Sequence, residues 1–251
     1  MKSARGGEPV RPAILDQLPR AVVRAIDVSE ALRNAIFAMR LPEPNGPLIA
    51  LYAVASYLNS AKRQQRRIER ARKALRKPDQ AQRNALENTF SDVHFYLICW
   101  SRIAKFARFI AQATRFRRAR LVLRRYHRDL TERIEFRDHL EHLEERLPGG
   151  AMQHRLKNPN DILNMATEWL TCGGRKLDVG PASLHCLIMI VNEFRRAIML
   201  DSVEFLAKVD ENSFSSLVHR AANTVRIARV SRRAERMWRH SQGSSGDALL
   251  D

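Results

Sequence analysis

Apolar residues recur along most of the chain at steps of three and four, which is the spacing of one face of an α-helix. The clearest run lies between Pro78 and Thr114, where the apolar positions are Val93, Tyr96, Trp100, Ile103, Ala107 and Ile110. This run predicts a helix at the centre of the core. Proline- and glycine-containing breaks near Pro42–Pro47, Pro78 and Pro148–Gly150 separate it from neighbouring stretches with the same period.

The breaks define a series of long helices. We expect them over Ile14–Leu41, about Leu48–Arg76, Pro78–Thr114, from there to about Leu147, from Pro181 to about Val209, and last from a cap near Asn212 or Ser213. Leu48–Arg76 is apolar in its first half and basic in its second half. The first half is therefore expected to lie in the core and the second half to project from it.

The period changes near residue 169, where two short strand-like segments flank Gly173-Gly174. This pattern predicts a β-hairpin with a two-residue turn. Such a turn sets Leu170 opposite Leu177 on one face and Trp169 opposite Asp178 on the other. The predicted fold is all-α: a bundle of long helices with one short β-hairpin insertion near residues 168–179.

Composition narrows the class of protein. The chain has 251 residues, of which 45% are hydrophobic, so one large core is available. We expect a flexible arm at residues 1–12, a single helical domain over residues 13–240, and a disordered tail at 241–251. Three Cys residues without a CxxC pair argue against a disulfide scaffold or a structural zinc site. No apolar leader or membrane-length segment is evident, so we expect a cytoplasmic protein with no membrane partner.

The charge points to a polyanionic partner. Lys and Arg number 44 against 27 Asp and Glu, which gives a net charge of +17. The basic residues are clustered, and acidic residues collect elsewhere, from Glu132 to Glu145. We expect nucleic acid, with RNA favoured over DNA, to contact two clusters: Lys62, Arg63, Arg66, Arg67, Arg70 and Lys73, and Arg117, Arg118, Arg124 and Arg125.

Aromatic residues are sparse within these clusters, so the pattern favours contacts to the phosphate backbone over base readout. A third basic cluster runs from Arg226 to Arg239. The alternative interpretation is that the clusters are solvated helix faces that pair with acids on neighbouring helices. A further alternative is a non-catalytic helical scaffold or adaptor whose basic arms dock acidic protein partners.

One short motif carries possible chemistry. The run Arg137-Asp138-His139-Leu140-Glu141-His142 has an Arg, a polar residue, three more residues and a His. It resembles the signature of HEPN domains, which are helical bundles. Many members of that family are metal-independent endoribonucleases that act as dimers. The resemblance implies that Arg137 contacts the scissile phosphate, that His142 helps to move the 2′-hydroxyl proton, and that Asp138 is the polar partner.

A wider resemblance covers about Arg137 to Phe194, which look like a loosely related set of uncharacterised bacterial helical proteins. On one helix, Arg137 and His142 are about 140° apart, so a second helix or a homodimer is needed to close a site around them.

The alternative to a catalytic site is two ordinary intrahelical pairs, Arg137–Glu141 and Asp138–His142. His139 and Glu135 lack the HExxH order, so no metal and no cofactor are predicted.

Overall fold

The structure is a computed structural model that describes residues 18–75, 81–142, 169–172 and 175–243. These residues form eight α-helices and one two-stranded hairpin. The helices are α1 (Arg20–Ala25), α2 (Val28–Met39), α3 (Asn45–Leu75), α4 (Ala81–Ala113), α5 (Arg117–Arg125), α6 (His127–Glu141), α7 (Pro181–Val209) and α8 (Glu211–Gly243). The strands are β1 (Trp169–Cys172) and β2 (Arg175–Asp178). The predicted all-α class with one hairpin is confirmed.

The described residues separate into two compact units. The first holds the chain up to Pro42 together with Met199 onward, and the second is Glu43–Ile198, so the boundary falls inside α7. The single domain expected over residues 13–240 stays a prediction, because the division concerns compactness and not independent folding. The expected arm at 1–12 lies outside the described residues, as does the tail from residue 244, whereas residues 241–243 belong to α8.

In the first unit, α1 and α2 both pack against α8. The single helix expected over Ile14–Leu41 is wrong, because the chain breaks at Ile26 and Asp27. The Asp27 carboxylate accepts a hydrogen bond from the backbone N–H of Glu30 at 2.8 Å and so caps α2. A side-chain cap satisfies a donor that has no partner inside the helix. Local capping thus interrupts a stretch whose apolar period reads as continuous.

The start of α8 also differs from expectation. Its cap is Asp210, whose carboxylate accepts from the backbone N–H of Ser213 at 3.0 Å, rather than Asn212 or Ser213. The helix buries Leu217 and Ala221. Within the described residues, no helix combines the length and apolar character needed to cross a membrane.

In the second unit, α3 and α4 form a long antiparallel pair. Gly46 near the start of α3 lies against the ring of Phe109 near the end of α4. Further along α3, Arg67 reaches back to Asp92 in the first half of α4. The expectation that the second half of α3 projects from the core is wrong. Its buried positions recur at helical spacing and are Ala61, Gln65, Ile68 and Arg72.

The core of the second unit is built around α4. Val93, Tyr96, Trp100 and Ile103 are buried there, as the apolar pattern predicts. Residues of α3, α6, the hairpin and α7 join the same cluster. The hairpin has the expected register, with Leu170 opposite Leu177 and Trp169 opposite Asp178. Both leucines are buried and Trp169 is exposed, so the hairpin turns one face to the core.

The single helix expected from Thr114 to about Leu147 is wrong within the described residues. The chain turns at Tyr126, which separates α5 from α6. At this turn the Tyr126 hydroxyl and the Arg125 guanidinium both donate to the carboxylate of Glu193 on α7, at 3.0 and 3.1 Å. Two side chains from the junction thus bind one carboxylate on a neighbouring helix, a tertiary contact that apolar periodicity does not report.

Candidate nucleic-acid interface

The second half of α3 has two opposite faces. Ala61, Gln65, Ile68 and Arg72 face the protein interior. The exposed cations recur at steps of three and four and are Arg63, Arg66, Arg67, Arg70 and Lys73. At about 100° per residue, that spacing puts all five within one side of the helix, opposite the buried stripe. We call these five residues the basic face of α3. Lys62 is half-buried at its edge.

One carboxylate compensates part of this charge. The Arg67 Nη1 atom lies 3.6 Å from Asp92 Oδ1 on α4. Burial raises the pKa of Asp92, and the Arg67 charge opposes that rise. Arg63 donates to the Ser60 hydroxyl at 2.9 Å, which leaves its charge uncompensated. Among the residues that the structure describes, Arg66, Arg70 and Lys73 have no carboxylate partner, so the face keeps a concentrated positive charge.

The second predicted cluster lies elsewhere. Arg117, Arg124 and Arg125 are exposed on α5, while Arg118 is half-buried. Arg125 is paired with Glu193 at 3.1 Å. Since Arg67 contacts Asp92 and α5 follows the opposite end of α4, the two clusters are about 30 Å apart along that helix. The structure therefore does not join the two sequence-predicted clusters into one compact patch.

Some basic residues serve the core instead. The guanidinium of Arg133 lies over the Trp100 ring, 4.2 Å from its centroid, and the side chain is buried. It donates to the backbone carbonyl of Asp129 at 3.0 Å. A cation over a tryptophan face is stabilised by the ring quadrupole. Arg72, which precedes Lys73 on α3, is also buried and does not belong to the basic face.

The motif residues of α6 are held by a network with α4. Arg137, whose side chain is 15% exposed, donates from Nη1 to the Ser101 hydroxyl at 2.6 Å. Its Nη2 contacts the carboxylate of Asp138, and its Nε lies 3.2 Å from Glu141. The intrahelical Arg137–Glu141 pair is therefore present. Two carboxylates balance the guanidinium charge, which weakens its attraction for a phosphate.

His142 lies just past the end of α6. It is exposed, and its backbone N–H donates to the carbonyl of Asp138 at 3.2 Å. The structure brings Arg137 and Asp138 into contact, whereas His142 follows the last turn of the helix. The other histidine of the motif, His139, stacks on Phe136 with ring centroids 6.4 Å apart.

A histidine from another helix joins the network instead. The Nε2 atom of His94 lies 3.6 Å from the second oxygen of Glu141. His94 and Ser101 are seven residues apart on α4, and this spacing places both on the side that meets α6. The apolar and charge patterns of the sequence single out neither residue, and the helical spacing that they share is the only signal for them in the sequence.

The described residues give little support for a metal site or a cysteine nucleophile. Within the described residues, no group of three or more His, Cys, Asp or Glu side chains is arranged to hold a metal ion. Cys99 is buried, and burial raises its pKa to about 11. Burial also raises the pKa of the Cys186 thiol. A thiol with a raised pKa is a poor nucleophile near neutral pH, because the thiolate is the reactive form.

Comparison of the chain with protein-family models, with curated proteins and with solved structures finds no match. The candidate site therefore rests on the geometry and charge of the chain itself.

Proposed function

We propose that the protein binds nucleic acid, RNA in preference to DNA, through the basic face of α3. The single observation that carries this proposal is the segregation of five exposed cations onto the side of α3 opposite its buried stripe. Packing on α4 holds the helix, so these charges are presented on a rigid element. Contacts of this kind neutralise phosphates and release counterions without reading sequence.

Two alternatives are less well supported. The HEPN-like endoribonuclease needs a guanidinium available to phosphate, whereas Arg137 already meets Asp138, Glu141 and Ser101. The scaffold that docks acidic proteins uses the same basic face and differs in its ligand. Nucleic acid is preferred because phosphates at regular spacing match a row of cations at regular spacing. The homodimer remains a separate prediction, which sedimentation equilibrium tests.

The test is the salt dependence of binding. Lys62 and the basic face together offer six cations, so log K should fall with log salt at a slope of about −5 for a duplex or about −4 for a single strand. Replacing Arg63, Arg66, Arg67 and Arg70 with Ala should flatten the slope to about −2 or less. Fluorescence anisotropy with a labelled RNA measures both slopes.

A variant with the same change in net charge supplies the control. Arg229, Arg232, Arg233 and Arg236 are exposed on α8, and replacing these four with Ala lowers the charge equally. This control should keep most of the slope if the site is on α3. Asp92→Asn should tighten binding, because it releases Arg67 for a phosphate. The proposal is contradicted if the α3 and α8 quadruple variants lose the salt slope equally, or if the parent protein does not bind at low salt.

A further inference from the structure

α4 presents a second exposed row beside the basic face. The row has two basic side chains flanked by two aromatic ones: Phe95, Arg102, Lys105 and Phe109. Their spacings of seven, three and four residues keep all four on one side of the helix. Phe95 is 54% exposed and Phe109 is 43% exposed. The Phe95 ring stacks on His94 with centroids 6.3 Å apart, and the Phe109 ring lies against Gly46, so each ring is partly packed and partly open to solvent. These residues lie outside the basic clusters that the sequence shows.

The antiparallel packing of α3 and α4 puts this row next to α3. Phe109 lies against Gly46, Tyr57 stacks on Phe106 with centroids 6.0 Å apart, and Arg67 meets Asp92. With this alignment, the level of Arg63 on α3 is the level of Phe95 on α4. Each helix buries the stripe that faces the core and exposes the opposite one. The two exposed rows therefore lie side by side on the outer surface of the pair.

α3 adds an aromatic residue of its own. Tyr52 is 55% exposed and is eighteen residues, or five full turns, before Arg70, so it extends the line of the basic face. Along the α3–α4 alignment, Tyr52 is level with the Lys105–Phe109 end of α4. Exposed rings thus occur at two levels of the outer surface: Tyr52 and Phe109 at one end, and Phe95 level with Arg63. Arg102 and Lys105 lie between the two levels, and the rest of the basic face lies beyond Phe95. We call Tyr52, Phe95 and Phe109 the aromatic set.

Interleaved rings and cations fit one class of nucleic acid. Proteins that bind single strands combine a positive surface along the backbone with aromatic side chains on which unpaired bases stack. In a duplex the bases stack on one another, so none of them is available to stack on an exposed ring. An acidic protein partner would pair with the cations, but it would not account for the exposed aromatic rings.

We infer that the outer surface of α3 and α4 is a platform for single-stranded nucleic acid, on which the aromatic set stacks unpaired bases between rows of phosphate-binding cations. This inference rests on the proposed function and specifies its ligand. The sequence clusters favour backbone contacts alone. The tertiary structure adds base stacking, because the rings come mainly from α4 and the cations mainly from α3.

The experiment compares three labelled RNA probes of equal length: a single strand, the same strand with abasic sites throughout, and the matching duplex. The parent protein should bind the base-bearing strand at least about 5-fold more tightly than the abasic strand. The double variant Tyr52→Ala/Phe95→Ala should lose most of that difference and keep the salt slope. Adding Phe109→Ala should remove the remainder.

Matched controls separate stacking from general destabilisation. Phe37, which is 59% exposed on α2, is replaced by Ala and should leave the preference intact. Tyr52→Phe keeps a ring and should also retain it. Thermal unfolding by circular dichroism confirms that each variant is folded.

The outcomes distinguish the two proposals. Equal binding of base-bearing and abasic strands with the expected salt slope overturns the platform and leaves the proposed function standing. The platform is also wrong if the duplex, or a poly-glutamate peptide of equal charge, binds as tightly as the single strand. Failure of every RNA probe to bind at low salt overturns the proposed function itself.

Discussion

Arginine residues in this chain do different physical work according to what surrounds the guanidinium. Arg133 is buried over Trp100, and Arg137 is held between two carboxylates and Ser101. Arg66 and Arg70 are exposed on the basic face of α3. A count of basic residues treats all of these alike. The exposed arginines are the ones that can contribute to phosphate binding and its salt dependence.

At the same scale, the resemblance to HEPN domains makes its own prediction. RNA cleavage should survive EDTA, leave a 2′,3′-cyclic phosphate and be lost in His142→Ala. An imidazole can act as acid or base in such a reaction. A gel assay on varied RNAs measures the activity, and anisotropy checks that RNA affinity is kept.

His139→Ala is the control, because the ring of His139 packs on Phe136, and it should retain most of the cleavage. If the parent protein leaves varied RNAs intact, or if His142→Ala cleaves as well as the parent, the HEPN-like enzyme prediction is wrong.

At the scale of the element, helix caps decide where helices begin. Asp210 caps α8, and hydrogen bonds from Ser213 lower the pKa of its carboxyl group. A carboxyl whose pKa is lower in the folded state stabilises the fold above its unfolded pKa of about 3.9. This contribution is lost as the pH falls through that value and then through the folded pKa.

Asp210→Asn keeps a capping oxygen and removes the titration. The stability difference between the parent and Asp210→Asn should be constant above about pH 5 and should shrink as the pH falls below 4. Thermal unfolding at a series of pH values measures it. Asp210→Ala should be less stable than Asp210→Asn at every pH. A parent-to-Asn difference that does not change with pH would show that the carboxyl has the same pKa in both states.

For the molecule as a whole, we expect the free energy of unfolding to fall in alkali, because a tyrosine and a cysteine of the second unit are buried in their protonated forms. Burial raises the pKa of Tyr96 to about 12, and its hydroxyl donates to Ser183 at 3.0 Å. Burial raises the pKa of Cys99 to about 11. Unfolded tyrosine ionises near pH 10, so its contribution is present below that pH and is lost between about 10 and 12.

Urea unfolding between pH 8 and 12 should show this loss. At pH 8, the free energy of unfolding of Tyr96→Phe should be about 1 kcal/mol lower than that of the parent, because a buried hydrogen bond is removed. Above pH 10, it should fall less steeply than that of the parent. Cys99→Ala should flatten the curve at lower pH, between about 9 and 11. If Tyr96→Phe follows the parent curve throughout, ionisation of Tyr96 is not linked to unfolding.

Local patterns in the sequence are enough to predict the all-α class, the central helix and the hairpin register. Each depends on a local period: steps of three and four bury Tyr96 and Trp100, and a two-residue turn sets Leu170 opposite Leu177. Local periodicity did not report the breaks at Asp27 and Tyr126. The break at Asp27 depends on a side-chain cap. The break at Tyr126 coincides with contacts to Glu193, which is far along the chain.

Which charged and aromatic residues lie together depends on how the helices pack. The concentration of basic residues in the second half of α3 is visible in the sequence. Packing decides that the basic face is exposed and that Arg72 is buried. The rings of Phe95 and Phe109 come beside that face only because α4 returns antiparallel to α3. His94 and Ser101 reach the Arg137 network for a related reason, the packing of α6 on α4. A surface shared by two helices depends on their pairing, and the period of either helix alone does not contain it.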